Sequence, residues 1–331
     1  MNIKFDKKFK EVCGKDYFPS IIPNNSSRII ALGDIHGDLE LVINMLKISK
    51  VIKIKEEFNK NFYEMEANEI AKKIEWIGNK TYVVQVGDQV DRCRPYSLNS
   101  DKKCADEGYV KNDEGSDLKI MLLMNLIHEK AVKKGGMVIS LLGNHELMNV
   151  KGDMGYVSYK GFEEFNNYFN KVGNNFEQTR RDVFSPGNEI SKMLGCTRHA
   201  SVIIGEFLFV HAGIIKKFVN KNKIKEENDL EVINKNIKLW LLGLITEDNI
   251  DQIINSTKDS MFWTRVLGNI PPGISVDSEE CSQLPLFEMF EASPNMVIGH
   301  TPQSFTHTHD INSTCGNRLW RVDNGSSKAF D

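Results

Sequence analysis

The stretch LLGNHELMN (141–149) decides how this chain is read. An apolar run stops at Gly143, and an amide, an imidazole and a carboxylate follow at once as Asn144, His145 and Glu146. Short apolar runs that end in turn residues read as buried strands, so a strand over 137–142 is expected to deliver this cluster at its carboxyl end. Neighbouring side chains of an extended chain point different ways, which gives Asn144 and His145 different expected jobs.

Other apolar runs share the pattern. Residues 28–32 lead into GDIHGD (33–38), 82–86 into GDQVDR (87–92), 207–210 into HAG (211–213) and 296–298 into GHT (299–301). Helical patterns lie between them at 38–49, with Asp38 as N-cap, at 116–134 and around 230–244. The runs at 207–210 and 319–323 are more hairpin-like. This alternation predicts a layered α/β architecture, in which ligands collect where the carboxyl ends of strands converge. A single domain over 28–331 is expected after an N-terminal arm at 1–27. A polar surface insertion falls at 93–115 and helical cover elements at 156–196 and 216–260.

Composition sets outer limits. With 331 residues, 40% apolar and 26% charged, the chain is neither disordered nor fibrous in make-up. A net charge of −3 gives no general footprint for nucleic acid, so an anionic substrate must be drawn by a local cluster. The basic N-terminus lacks the apolar run of a secretory signal, and no later segment is long enough to span a bilayer. An intracellular, cytoplasmic chain is the expectation. Six cysteines without a CxxC pair read as mostly reduced, buried thiols rather than a disulfide framework or zinc site.

A Gly-Asp pair or a lone histidine is ordinary turn or core chemistry. The set is not. Asp34, His36, Asp88, Asn144, His211 and His300 come from different strand ends and supply oxygen and imidazole donors without a thiolate. Such a donor list fits two metal ions about 3.5–4 Å apart, an arrangement suited to phosphate ester hydrolysis. Mixed oxygen and imidazole ligation favours manganese, iron or zinc. Two divalent ions against two carboxylates leave a centre of about +2, matched to a phosphate dianion.

These strings resemble the metal-dependent phosphoprotein phosphatase superfamily, whose pattern is GDxHG, GDxVDRG, GNHE, HGG and a late histidine. The longer strings VVQVGDQVDR, FVHAG, FWTR, VIGHTPQ and RLWRVDNGSSKAF are most similar to its Shewanella-like branch. The resemblance covers residues 28–331 and implies a calcineurin-like β-sandwich flanked by helices. It implies Asp34, His36 and Asp88 on one metal, with Asp88 bridging, and Asn144, His211 and His300 completing the other. His145 would be the general acid, oriented by Asp91, while Arg92 and Arg265 bind phosphate oxygens. A hydroxide bridging the ions would attack phosphorus in line, and the His145 imidazolium would protonate the leaving oxygen.

The implied function is phosphomonoester hydrolysis on a phosphorylated protein, at phosphotyrosine or at phosphoserine and phosphothreonine. Two alternatives stand beside it: hydrolysis of diadenosine polyphosphates, which HAG and GHT also resemble, and a catalytically silent phosphoprotein-binding scaffold. A nuclease is disfavoured because His300 is followed by Thr301 and Pro302 rather than completing a GHxH ending. The chain departs from the pattern at Cys93 and Ala212, which stand where the family has glycine. Cys93 is expected to be a packed thiol, with oxidation or a Cys93–Cys104 disulfide as the alternatives. Glu146 is expected to order the GNHE loop, and His307 and His309 to sit on an exposed hairpin.

Overall fold

The computed structural model describes residues 5–56, 58, 62–95, 103–170, 175–285 and 294–330. Residues 96–102 of the expected insertion and 171–174 of the first cover element lie outside them. The strands are β1 (Ile21–Ile22), β2 (Arg28–Leu32), β3 (Ile52–Ile54), β4 (Ile74–Trp76), β5 (Thr81–Gln85), β6 (Met137–Leu141), β7 (Arg198–His199), β8 (Ser201–Ile204), β9 (Phe207–Val210), β10 (Asn295–Ile298), β11 (Asn312–Thr314) and β12 (Leu319–Arg321). They form a six-stranded sheet in the order β1-β8-β9-β10-β12-β11, a four-stranded sheet β2-β5-β6-β7, and the β3-β4 pair.

Strand periodicity explains why two sheets stack. Side chains alternate between faces, and here both faces are apolar. Tyr82, Val84 and Val86 join Ile139, Leu141, Val202, Ile204, Phe209, Val297 and Val322 in the core between the sheets. Their neighbours Val83 and Val138 point the other way, into a second core. Ile203, Leu208 and Val210 likewise face outward from the six-stranded sheet into a third. Strands buried on both faces read as continuous apolar runs, which is why β5, β6 and β9 were visible from sequence.

Helices close the outer faces. They are α1 (Phe5–Cys13), α2 (Leu39–Ile48), α3 (Ala67–Lys73), α4 (Asp117–Val132), α5 (Asn144–Val150), α6 (Tyr159–Tyr168), α7 (Phe176–Phe184), α8 (Glu189–Thr197), α9 (Lys216–Asn222) and α10 (Glu227–Leu241). Apolar residues of α2, α3 and α4 cover the four-stranded sheet, and those of α7, α8, α9 and α10 cover the six-stranded one. Asp38 caps α2 as expected, accepting from the Leu41 amide at 2.9 Å.

Parallel register sets the site. Strand β5 pairs in parallel with both β2 and β6, with Leu32 opposite Gln85 and Gln85 opposite Ser140. The loops at 33–38, 87–92 and 143–146 therefore leave the sheet side by side. Strand β9 runs parallel to β10, with Phe209 opposite Val297, which brings out the loops carrying His211 and His300.

Several expectations change. The stretch expected to be an arm is built into the fold, since β1 pairs in parallel with β8. The cysteines are not reduced thiols: Cys13–Cys196, Cys93–Cys104 and Cys281–Cys315 are disulfides, and no cysteine is free. Cys93–Cys104 is the alternative weighed above, whereas the other two pairs, separated by 183 and 34 residues, share no spacing that could be read locally. His307 and His309 are exposed, but in the turn before the β11–β12 hairpin rather than on it.

Candidate active site

The loops are tied to one another before any side chain reaches the crevice. The amides of Ile35 and His36 both donate to the Asp88 carbonyl at 2.9 Å, and Gly37 donates to Gln89 at 2.9 Å. Glu146 ties the third loop, accepting from the amides of Gly143, Asp88 and Gln89 at 2.6, 3.0 and 2.7 Å. It thus orders not one loop but two. His36, Asp88, Asp91 and His300 all hold positive φ, from 48° to 73°. Non-glycine residues pay a steric penalty there and persist only where their surroundings over-determine them.

Close approach also fixes two glycines. A Cβ on Gly143 would lie 2.1 Å from the Asp88 Oδ1, and one on Gly299 would lie 2.2 Å from the Asp34 Oδ1. Any other residue would displace the carboxylates.

Asn144 and His145 do diverge, but for a different reason from the expected one. They open helix α5 rather than extend a strand. Successive helical side chains are about 100° apart. The Asn144 Oδ1 lies 2.9 Å from the His211 Nε2, whereas the His145 Nδ1 lies 2.8 Å from the Asp91 Oδ2.

All six expected ligands are buried, with Asp34, His36, Asp88, Asn144, His211 and His300 each at most 5% exposed. Two donor groups form, His36 with Asp88 and His145, and Asp88 with His211 and His300, each with its atoms within 4.8 Å of one another. Asp88 belongs to both. Its Oδ2 is 3.3 Å from the His211 Nε2 and 3.9 Å from the Nε2 atoms of His36 and His145. The Asp34 Oδ2 lies 3.8 Å from the His36 Nε2.

The electrostatics of this cluster are those of a cation site. Burial, then Asp323 and Asp88, push the Asp34 carboxyl well above its usual range. Burial likewise raises Asp323 to about 6, and its Oδ2 is buried without a hydrogen-bond partner. Burial alone would raise Asp88 too, but the imidazoles of His211, His145 and His36 hold it well below. His36 and His300 are driven well below their ordinary values chiefly by burial, so they sit as neutral donors. His211 is the exception, raised by Asp88 against its own burial, and a buried crowd of carboxylates and imidazoles is costly without cations between them. The donor set fits two divalent ions.

His145 stands at the edge of this cluster. Asp91 also accepts from the Asn149 amide group at 2.9 and 3.0 Å and from the Arg180 Nη2 at 3.2 Å. The two expected phosphate binders are placed differently. The Arg265 Nη1 donates to the His300 carbonyl at 2.9 Å, and the residue is exposed at the crevice. Arg92 is buried and turned to Asp38, Glu114 and the Asn112 carbonyl, at 3.6, 3.4 and 3.1 Å. Sequence reasoning missed Asn149, Arg180, Arg94, Tyr156, Phe330 and Asp323. Only Asn149 left a signal, four residues after His145 and so on the same face of a helix.

Comparison with known proteins agrees with this geometry. A family model described as calcineurin-like phosphoesterase matches residues 27–304. The chain is 37% identical over 227 residues to the uncharacterized protein R398 of Acanthamoeba polyphaga mimivirus, covering 64% of this chain and 89% of that one. It is 25% identical to Shewanella-like protein phosphatase 2 of Arabidopsis thaliana, over 91% of this chain and 72% of the relative. The solved cold-active protein-tyrosine phosphatase of a psychrophilic Shewanella species superposes with a TM-score of 0.64 at 18% identity, over 97% of this chain and 77% of that one. That likeness concerns the fold. With the two-sheet sandwich, the buried donor cluster and a matching family model over most of its length, the chain belongs to the calcineurin-like phosphoesterases.

Proposed function

We propose that the chain is a metal-dependent protein phosphatase. The observation that carries this reading is the Asp91–His145 pair, 2.8 Å apart, at the edge of a donor cluster centred on Asp88. Asp34, His36, Asp88, Asn144, His211 and His300 would hold two ions, manganese, iron or zinc. When bound, these supply Lewis-acid charge to the phosphoryl oxygens and generate a nucleophile from water at neutral pH. Asp91 receives the His145 Nδ1 and so fixes the ring, leaving the Nε2 to hand its proton to the leaving oxygen. Arg265, at the exposed rim beside His300, is placed to meet phosphate.

The named relatives from plant and Plasmodium berghei are Shewanella-like protein phosphatases, which supports a phosphorylated protein as substrate. The intact Asp91 favours this over diadenosine polyphosphate hydrolysis, and the complete donor set disfavours a silent scaffold. Among the described residues no helix is long and apolar enough to cross a membrane. The disulfides remove one ground for a cytoplasmic location, since such bonds persist in oxidising surroundings.

The deciding experiment compares manganese-loaded protein on phosphotyrosine peptides, phosphoserine and phosphothreonine peptides, and diadenosine tetraphosphate. Phosphate release chiefly from peptides is expected. Activity confined to the dinucleotide would overturn the reading, and inactivity on all three would revive the scaffold. The division of labour in α5 adds a test of roles. Asn144→Ala is expected to lower metal content, whereas His145→Ala retains metal and slows poor leaving groups by about 10²–10⁴-fold. Equal loss of metal and turnover in both variants would count against an acid role.

A further inference from the structure

Two arginines lie two positions apart in GDQVDRCR, and they have gone to different places. The Arg92 side chain is 2% exposed and faces two carboxylates, Asp38 and Glu114. Its charge is met by these carboxylates, although its Nε and Nη1 make no hydrogen bond. Arg94 forms no ion pair among the described residues. One guanidinium nitrogen donates to the carbonyls of Asp91 and Cys93 at 3.1 and 2.8 Å, which leaves its remaining N–H groups uncommitted there.

The surroundings of Arg94 place it at the mouth of the donor cluster. Its guanidinium carbon lies 4.8 Å from the Phe330 ring centre and 5.8 Å from that of Tyr156. Phe330 meets His36 edge-on at 5.5 Å, and Tyr156 meets His145 edge-on at 5.0 Å. The imidazoles of His36 and His145 are themselves 4.9 Å apart. Arg94 therefore bridges the two aromatic walls that flank the histidines on either side of the proton-transfer position. The carboxylates of Asp88, Asp91, Asp34 and Asp323 pull against the burial that lowers Arg94.

A half-buried guanidinium with open donors and no carboxylate partner among the described residues is short of an anion. We infer that Arg94, rather than Arg92, is the arginine that grips the substrate phosphate on the His145 side, with Tyr156 and Phe330 holding its guanidinium plane in register. Arg265 would face it from the His300 side, and Arg92 is a structural cation that joins the Asp38 cap to Glu114. This inference rests on the phosphatase reading for its substrate.

The test measures inorganic phosphate binding by calorimetry on manganese-loaded protein, beside KM and kcat on a phosphopeptide. Arg94→Gln is expected to weaken phosphate binding and raise KM by about tenfold or more, the loss expected of one charge-assisted contact. Arg94→Lys should recover part of that loss because it restores charge without the planar fork. Arg92→Lys should lower the melting temperature while leaving phosphate affinity within about twofold. If Arg92→Lys weakens phosphate as much as Arg94→Gln, or Arg94→Gln leaves it unchanged, the assignment is wrong. Wild-type protein that binds phosphate but hydrolyses no phosphopeptide would count against the phosphatase reading alone, since the binding comparison still decides between the two arginines.

Discussion

The side chain that most repays attention is Asp91. It is fully buried at a positive φ of 73°, and its two oxygens take up His145, Asn149 and Arg180. Arg180 also donates to Asp117 at 2.8 Å, the Asn149 Oδ1 at 2.8 Å and the Gly161 carbonyl at 3.0 Å. Its guanidinium lies over the rings of Phe165 and Phe184, at 4.5 and 5.2 Å. One cation is thus shared between two buried carboxylates while setting the angle of the one that holds His145. Removing it would leave both charges uncompensated, so Arg180→Met is expected to cost about 3–5 kcal/mol in urea unfolding. Asn149→Ala should cost less, about 1–3 kcal/mol, because Arg180 still holds Asp91. For both variants the pH profile of kcat should move with the loss of stability. An unchanged profile would make the network purely structural. Of this network the sequence offered the Asp91–His145 pair, through the resemblance, but not Arg180, which lies on a covering helix whose amphipathic pattern looks like any other.

At the scale of elements, what could be read were runs long enough to show their period. Strands β2 and β9 fall where the apolar runs put them, β6 and β10 shift by a single residue at one end, and β5 lies one residue earlier throughout. Strands β1 and β7, of two residues each, carry no periodicity and were missed. The helical start of LLGNHELMN was misread because a seven-residue helix opening on buried polar side chains has no apolar stripe to announce it. Two of the three disulfides were invisible for the same reason of scale, since they join elements rather than positions, and only Cys93–Cys104 stood among the alternatives. Cys13–Cys196 ties α1 to α8 across 183 residues, and Cys93–Cys104 closes a loop of 11. Chain-entropy reasoning gives the longer closure the larger effect, within about 2–5 kcal/mol. Alkylation of the unreduced, unfolded protein should therefore label none of the six cysteines, and Cys13→Ser should lower the melting temperature more than Cys104→Ser. Quantitative labelling would return the cysteines to the reduced state first expected.

A second element-level device holds Phe330 beside His36. The Lys328 ammonium lies 2.8 Å from Glu40 and from Glu114, and its amide donates to Asp38 at 3.0 Å. Glu40 is lowered first by its hydrogen bond to Lys328. Lys328 is raised, because the hydrogen bonds to Glu114 and Glu40 outweigh its own desolvation. A lowered carboxyl contributes above its unfolded value of 4.5 and loses that contribution as pH falls through the folded one. A raised ammonium contributes below its unfolded value of 10.5 and loses that contribution as pH rises through its folded value. The Lys328–Glu40 contact is therefore at full strength between these limits and weakens in acid, while Glu114, raised by its burial, is protonated earlier and gives up its contact first as pH falls. Lys328→Met is expected to raise KM modestly at neutral pH and to flatten the acid loss of affinity. An unchanged KM at both pH values would release Phe330 from any dependence on the clasp.

Taken whole, the molecule is a two-sheet sandwich whose strands end at one crevice, and that design made the candidate donors readable. Each donor follows an apolar run, and parallel register brings five such ends together. The arrangement also makes the centre a stability device. Buried donors that repel or desolvate one another in the empty fold gain from any cation that binds the native state alone, by about 2.7 kcal/mol at one hundred times the dissociation constant. Manganese should therefore raise the melting temperature by several degrees, and chelation should reverse it. The shared position of Asp88 sharpens the expectation, because it belongs to both donor groups whereas His300 belongs to one. Asp88→Asn should abolish nearly the whole rise, and His300→Ala should remove only part of it. Equal residual shifts in the two variants would mean that the ions bind independently and that no carboxylate joins them.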